Sequence, residues 1–161
     1  MSKAAKVLPG EGTGKRGPDG YLGYLLRQAA NGYRHRVETS LRETGLTQPQ
    51  FAALTMLDAY PEHSSADLAR IALLTPQTMS TILQNLENAA LIRRHPHQEH
   101  GRKRRIELTD AGRQVLVRAK RLVYALEIEL AEGFSEEEQL TVRRWLVAAG
   151  RRSFEEGANK P

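Results

Sequence analysis

The chain has 161 residues, 40% hydrophobic and 27% charged, with a formal net charge of +5. These proportions fit a globular domain and exclude a disordered chain, and the basic balance favours a polyanionic partner. There is no Cys, which excludes disulfides, thiolate metal sites and thiol redox sensing and fits a reducing cytoplasm.

No apolar run approaches the roughly 18 residues that span a bilayer. The N-terminal stretch MSKAAKVLPGEGTGKRGPDG has no apolar core of signal-peptide length. A cytoplasmic protein without a membrane partner is expected. Residues 1–19, rich in Gly and Lys with Pro9 and Pro18, read as a mobile arm that buries little.

From Tyr21 to Leu41 apolar residues recur at helical spacing: Leu22, Leu25, Leu26, Ala29, Tyr33, Val37 and Leu41. Gly45 stops this helix. Thr47 caps the next one, with Pro49 in its first turn, a buried face of Phe51, Leu54 and Leu57, and Pro61 at its end. Ser64 and Asp67 then have capping-box spacing ahead of a short helix whose Leu68, Ile71 and Ala72 face inward.

A further helix follows at once, with Thr75 as N-cap and Pro76 at its first position. Met79, Ile82, Leu83 and Leu86 make its apolar face. Gln77, Thr78, Ser80, Thr81, Gln84 and Asn85 make the other, with no charge before Glu87. Such uncharged side chains suit base edges and phosphates in a major groove. The bland alternative is a polar face turned to water or to another chain. Two short helices joined tightly, the second capped and polar on one side, match a helix-turn-helix. Ser64, Ser65, Thr75, Pro76, Gln77, Thr78, Ser80, Thr81 and Gln84 are its candidate DNA contacts.

Arg93, Arg94, Arg102, Lys103, Arg104 and Arg105 crowd the next segment, interleaved with His95, His97 and His100. Leu91 and Ile92 open a strand, and Arg104 to Thr109 alternate toward a second. HPHQEHG lies between, with Pro96 and Gly101 as turn residues. This is a basic β-hairpin, a wing, tipped by Arg102 and Lys103; a guanidinium at such a tip can enter a minor groove. Arg93, Arg94, Arg102, Lys103 and Arg104 complete the candidate DNA contacts.

Thr109 caps a long helix running to about Glu132, striped by Val115, Ala119, Leu122, Leu126 and Leu130, and Gly133 ends it. Ser135 and Glu138 form a capping box for the last helix, whose apolar face is Leu140, Val142, Trp145, Leu146 and Ala149, with Phe154 beyond. So much apolar helix surface around a small winged unit is most simply buried against a second copy, giving a two-fold homodimer.

The expected fold is mostly α with a small β wing: a winged helix-turn-helix with long flanking dimerisation helices. Its expected divisions are an arm at 1–19, an N-terminal dimerisation helix at 20–45, the winged DNA-binding region at 46–109, C-terminal dimerisation helices at 110–156 and a tail at 157–161.

Three stretches, LTQPQFAALTML, SSADLARIALLTPQTMSTILQNLENAALIRR and GRKRRIELTDAG, cover Leu46 to Gly112. In that order they resemble the MarR family of bacterial transcription regulators, with flanking helices similar over roughly residues 20–155. The resemblance implies a homodimer that binds a pseudo-palindromic operator in double-stranded DNA. Such a protein is usually a repressor, released by a small, often aromatic or phenolic, molecule. It implies that the helix from Thr75 to about Ala90 is the recognition helix and that Arg102 is the wing arginine of the family's Asp-x-Arg motif. The Asp of that motif is here His100.

Candidate effector contacts are Tyr24, Arg27, Asn31, His35 and Met56; Arg27 or His35 would meet a carboxylate. A metal-responsive regulator using His95, His97, Glu99 and His100 is one alternative, although the spacing matches no closed structural site. A basic module gripping an acidic protein is another. No phosphate-binding Gly loop and no nucleophile elbow is present, so no catalytic residue, metal ligand set or cofactor is expected.

Overall fold

The computed structural model describes residues 10, 12–61, 63–72, 74–95 and 106–158, with side chains up to residue 151. Its helices are α1 (Leu22–Leu41), α2 (Gln48–Ala59), α3 (Ser65–Ile71), α4 (Pro76–Asn88), α5 (Asp110–Ala131) and α6 (Glu136–Ala158). The strands β1 (Ile92–Arg94) and β2 (Ile106–Leu108) pair antiparallel between α4 and α5, with Ile92 opposite Leu108, Arg93 opposite Glu107 and Arg94 opposite Ile106. This is the mostly helical fold with a small wing that the sequence pattern predicts. No helix among the described residues is long and apolar enough to cross a membrane.

The caps fall where side-chain chemistry puts them. Thr47 and Gln50 form a reciprocal capping box on α2, and Ser64 and Asp67 form one on α3. The Thr75 hydroxyl accepts from the Thr78 backbone N–H at 3.1 Å, with Pro76 at the first helical position. At the start of α6, Ser135 and Glu138 cap one another, and the Ser135 N–H and hydroxyl hold the Glu138 carboxyl below the usual carboxylate range. Gly45, at φ 71°, closes the 3-10 turn that follows α1.

Part of the segment expected as an arm is placed in a short 3-10 turn at Gly14–Arg16, with the Lys15 ammonium 5.1 Å from the centre of the Tyr21 ring. Residues 1–9 lie outside the described residues.

The chain divides into two compact units, Met1–Val123 and Tyr124–Pro161, with the division inside α5. In the first, α2 packs on α1, α3 and α4, and the strands pack on α2 and α4. Its core is Val37, Leu41, Leu54, Leu57, Leu68, Met79, Leu83, Leu86, Ile92, Ile106, Leu116 and Ala119, all buried. At about 25 cal/mol for each Å² removed from water, this cluster is the main stabilising term of the unit. Lys120 Nζ meets Asp58 Oδ2 at 2.6 Å and ties α5 to α2. Ile71 corrects the inward reading of α3: it is 41% exposed. The helix has under two turns, and Leu68 and Ala69 already fill its buried side.

The turn from α4 into β1 is tightly specified. Ala90 takes a left-handed conformation at φ 55°. The Leu91 N–H donates to Leu86 O and the Ala90 N–H to Glu87 O, both at 2.9 Å. That is a Schellman ending with alanine where glycine is usual. The Thr109 hydroxyl donates to Ala90 O at 2.7 Å and accepts from the Gly112 N–H at 3.0 Å, while the Thr109 N–H donates to Leu91 O at 3.1 Å. Gly112 lies so close that a Cβ on it would stand 2.0 Å from Leu91 O.

Two opposite effects follow for this turn. Ala90→Gly relieves the left-handed strain at some cost in unfolded-chain entropy and should stabilise the protein by about 0.5–1 kcal/mol. Gly112→Ala forces backbone against backbone and should destabilise it by about 2 kcal/mol or more. Thermal or urea unfolding of the two variants checks both signs.

Candidate nucleic-acid interface

The helix-turn-helix is built by α3 and α4, which pack on each other and on α2. Met79, Ile82, Leu83 and Leu86 are buried, so the helical period turns Gln77, Ser80, Thr81, Gln84, Asn85 and Asn88 outward, and all six are exposed. Thr75, Pro76 and Thr78 are exposed at the start of the helix.

Much of this surface is internally bonded. The Thr75 and Thr78 hydroxyls share a hydrogen bond of 2.8 Å. The Thr81 hydroxyl donates to Gln77 O at 3.1 Å. Gln84 Nε2 donates to Asn88 Oδ1 at 3.0 Å. Ser64 is committed to its cap through Asp67, whereas Ser65 is exposed at the first position of α3. Asp67 also holds Arg70, whose Nη2 lies 2.6 Å from Asp67 Oδ1 and whose side chain is 78% exposed. Arg70 and Asn88 were missed from the sequence. Arg70 is the one cation in SSADLARIALL, and Asn88 extends the outward period by one more turn.

At the base of the wing, Arg93 is exposed and lies opposite Glu107 on the partner strand. Arg94 turns back to α4, its Nε 3.1 Å from Glu87 Oε2. This is a charge contact rather than a well-aligned hydrogen bond: Nε and Nη2 are shielded from solvent and have no hydrogen-bond partner among the described residues. Arg94 thus braces β1 against α4. His95 Nε2 lies 2.8 Å from Glu107 Oε2 across the strand pair. Arg102, Lys103 and Arg104 of the expected DNA contacts, and His97, Glu99 and His100 of the metal alternative, lie outside the described residues.

On α1, Tyr24, Arg27, Asn31 and His35 recur at intervals of three and four residues and form one stripe. Arg27 stacks over the Tyr24 ring, 5.7 Å from its centre, and Gln28 Nε2 donates to the Tyr24 hydroxyl at 2.9 Å. Helical spacing centres this stripe a little over a quarter-turn around α1 from the buried Val37 and Leu41, with Arg27 nearest to them. Met56 is half-buried on α2. A shallow open cleft on α5, lined by Arg113, Gln114, Val117 and Arg118, is a feature that the sequence reading did not single out.

A capped helix with no charge before Glu87, packed behind a shorter one and followed by a two-stranded wing, defines a winged helix-turn-helix protein. The MarR family model matches residues 44–103. The HTH-type transcriptional repressor Rv2887 of Mycobacterium tuberculosis is 37% identical over 132 residues, covering 82% of this chain and 95% of that one. The chain belongs to the MarR family.

Among solved structures, the M. tuberculosis Rv2887 protein in complex with DNA is similar with a TM-score of 0.64 and 36% identity, covering 82% of this chain and 99% of that one. The same protein in complex with salicylic acid gives 0.63 and 36%, covering 82% and 98%.

The Arg94–Glu87 contact makes a prediction of its own. Glu87→Ala leaves the shielded guanidinium without its counter-charge and should cost about 1–2 kcal/mol, less than a fully buried pair because both side chains keep some solvent. Adding Arg94→Met should recover much of that loss, as unfolding of the single and double variants would report.

Proposed function

We propose that this protein is a transcriptional repressor that binds a pseudo-palindromic operator as a homodimer and leaves it when a small aromatic or phenolic acid binds. The observation that carries this reading is the outer side of α4: exposed amides and hydroxyls without charge on a capped helix. A charge-free face of this kind gives up solvent cheaply and can match donors and acceptors on base edges. The relatives add support, since Rv2887 is a repressor with structures bound to DNA and to salicylic acid.

In this reading α4 enters the major groove, Thr75, Pro76 and Ser65 approach the phosphates, and Arg93 leads into the wing. Arg102, Lys103 and Arg104 supply the wing's charge and most of the salt-dependent affinity. Arg94 holds the wing in place from within. Residues 46–109 are the DNA-binding region, and the helices on either side of it make the dimer.

Dimerisation accounts for apolar side chains that are exposed in a single chain. On α1 these include Tyr21 and Leu22, and on α6 Trp145, Leu146 and Val147. The Tyr24–Arg27 pair is the best-prepared part of the effector stripe, offering a guanidinium and a ring to an aromatic carboxylate. The protein would act on the chromosome in the cytoplasm, and we assign it no catalytic role.

The test is operator selection from genomic fragments by the purified protein, followed by binding measured across a salt series. A short inverted repeat bound by a dimer is expected. Arg102→Ala should weaken binding and lower the slope of log affinity against log salt by about one for each lost phosphate contact, with dimerisation unchanged in sedimentation. Unchanged affinity at every salt concentration would remove the wing from the interface.

A further inference from the structure

The hydrogen bonds along α4 separate its outward side chains into committed and uncommitted groups. Thr75 and Thr78 are held by the cap, Thr81 has given its proton to the helix backbone, and Gln84 and Asn88 hold each other. The Gln77, Ser80 and Asn85 side chains make no hydrogen bond among the described residues. Of these, only Gln77 lies both in the first turn and on the ridge directly opposite the buried Met79, Leu83 and Leu86. Residues in the first turns of a recognition helix are the ones that reach base edges.

We infer that Gln77 reads an adenine, and the Thr81 methyl a neighbouring thymine, in each half-site. The inference rests on the DNA-binding reading above. A free carboxamide carries an acceptor and a donor side by side. Its Oε1 can accept from the adenine N6 amino group while Nε2 donates to adenine N7. Guanine presents O6 beside N7, two acceptors, and would leave the amide oxygen facing an oxygen. Gln77 therefore separates the two purines, where an arginine there would select guanine.

Thr81 is one turn further along the same ridge. With its hydroxyl proton committed to Gln77 O, the methyl is the part of its side chain best suited to a base. The thymine C5-methyl group is the one apolar feature in the major groove. Residues four apart on a helix are separated by about 6 Å along the axis, so the two contacted base pairs lie within about two steps of one another.

The experiment selects from a random duplex library with the full-length wild type and with Gln77→Ala, Gln77→Glu, Thr81→Ser and Thr81→Val. The selected operator is then resynthesised with deoxyuridine for thymine at the contacted position. Circular dichroism and sedimentation confirm that each variant folds and dimerises.

The wild type should recover an inverted repeat with one adenine and one thymine fixed in each half-site. Gln77→Ala should relax the adenine alone, by on the order of tenfold to a hundredfold in discrimination. Gln77→Glu should move that preference toward cytosine, whose N4 amino group donates to a carboxylate. Thr81→Val, which keeps a methyl, should still prefer thymine to deoxyuridine, and Thr81→Ser should not. An inverted repeat whose bases are unchanged in all four variants would overturn the assignment while leaving the protein a DNA-binding regulator. Recovery of no common sequence by the wild type would overturn the regulator reading first, and the assignment with it.

Discussion

Thr109 joins the three parts of the winged unit through one residue. Its hydroxyl donates to the carbonyl of Ala90 just past the end of α4, its amide donates to Leu91 O ahead of β1, and the same hydroxyl accepts from the Gly112 N–H in the first turn of α5. None of these groups has a partner within its own helix or strand, so each bond also satisfies a donor or acceptor that packing would otherwise leave orphaned. The left-handed Ala90 and the side-chain-free Gly112 allow the backbones to come this close. Short hydrogen bonds thus add to apolar packing in holding α4 against the strand pair.

Around that junction the chemistry is divided. The outward side of α4 is neutral, whereas the segment at and beyond β1 is basic. Phosphate contact through cations brings strength that falls with salt, and base-edge contact through neutral groups brings discrimination. The neutral and the basic element are linked through Arg94 and Glu87. Two of the basic residues that read as equivalent along the sequence are unlike in the structure. Arg93 faces outward, and its neighbour Arg94 is engaged inside the protein.

Most of the helical framework could be read directly because its signals are local. Thr47, Ser64, Thr75, Thr109 and Ser135 each precede a helix at capping distance, and the apolar period behind the first four finds its buried side, whereas the apolar residues of α6 are exposed. What escaped depends on partners distant in sequence or on backbone shape. The end of α4 near Ala90 was legible, but its left-handed turn was not, because an alanine performs the turn usually given to glycine. Ile71 fits the apolar period of α3, yet its exposure follows from how little surface a short helix can bury. The inward role of Arg94 needs Glu87 across a turn.

The bonding pattern on α4 also bears on how such a protein changes over generations. The exposed Gln77 and Ser80 side chains make no hydrogen bond among the described residues, and the bonds made by Thr81 and Gln84 are confined to the helix itself. Substitution there leaves the core, the caps and the junction at Thr109 intact. Surface positions of this kind usually shift stability by no more than about 0.5 kcal/mol. A duplicated gene could therefore drift to new target sites through these few codons with little risk to folding, while Gly112 and Thr109 stay under tight constraint. Diversity of address and constancy of scaffold would then come from the same short stretch of chain.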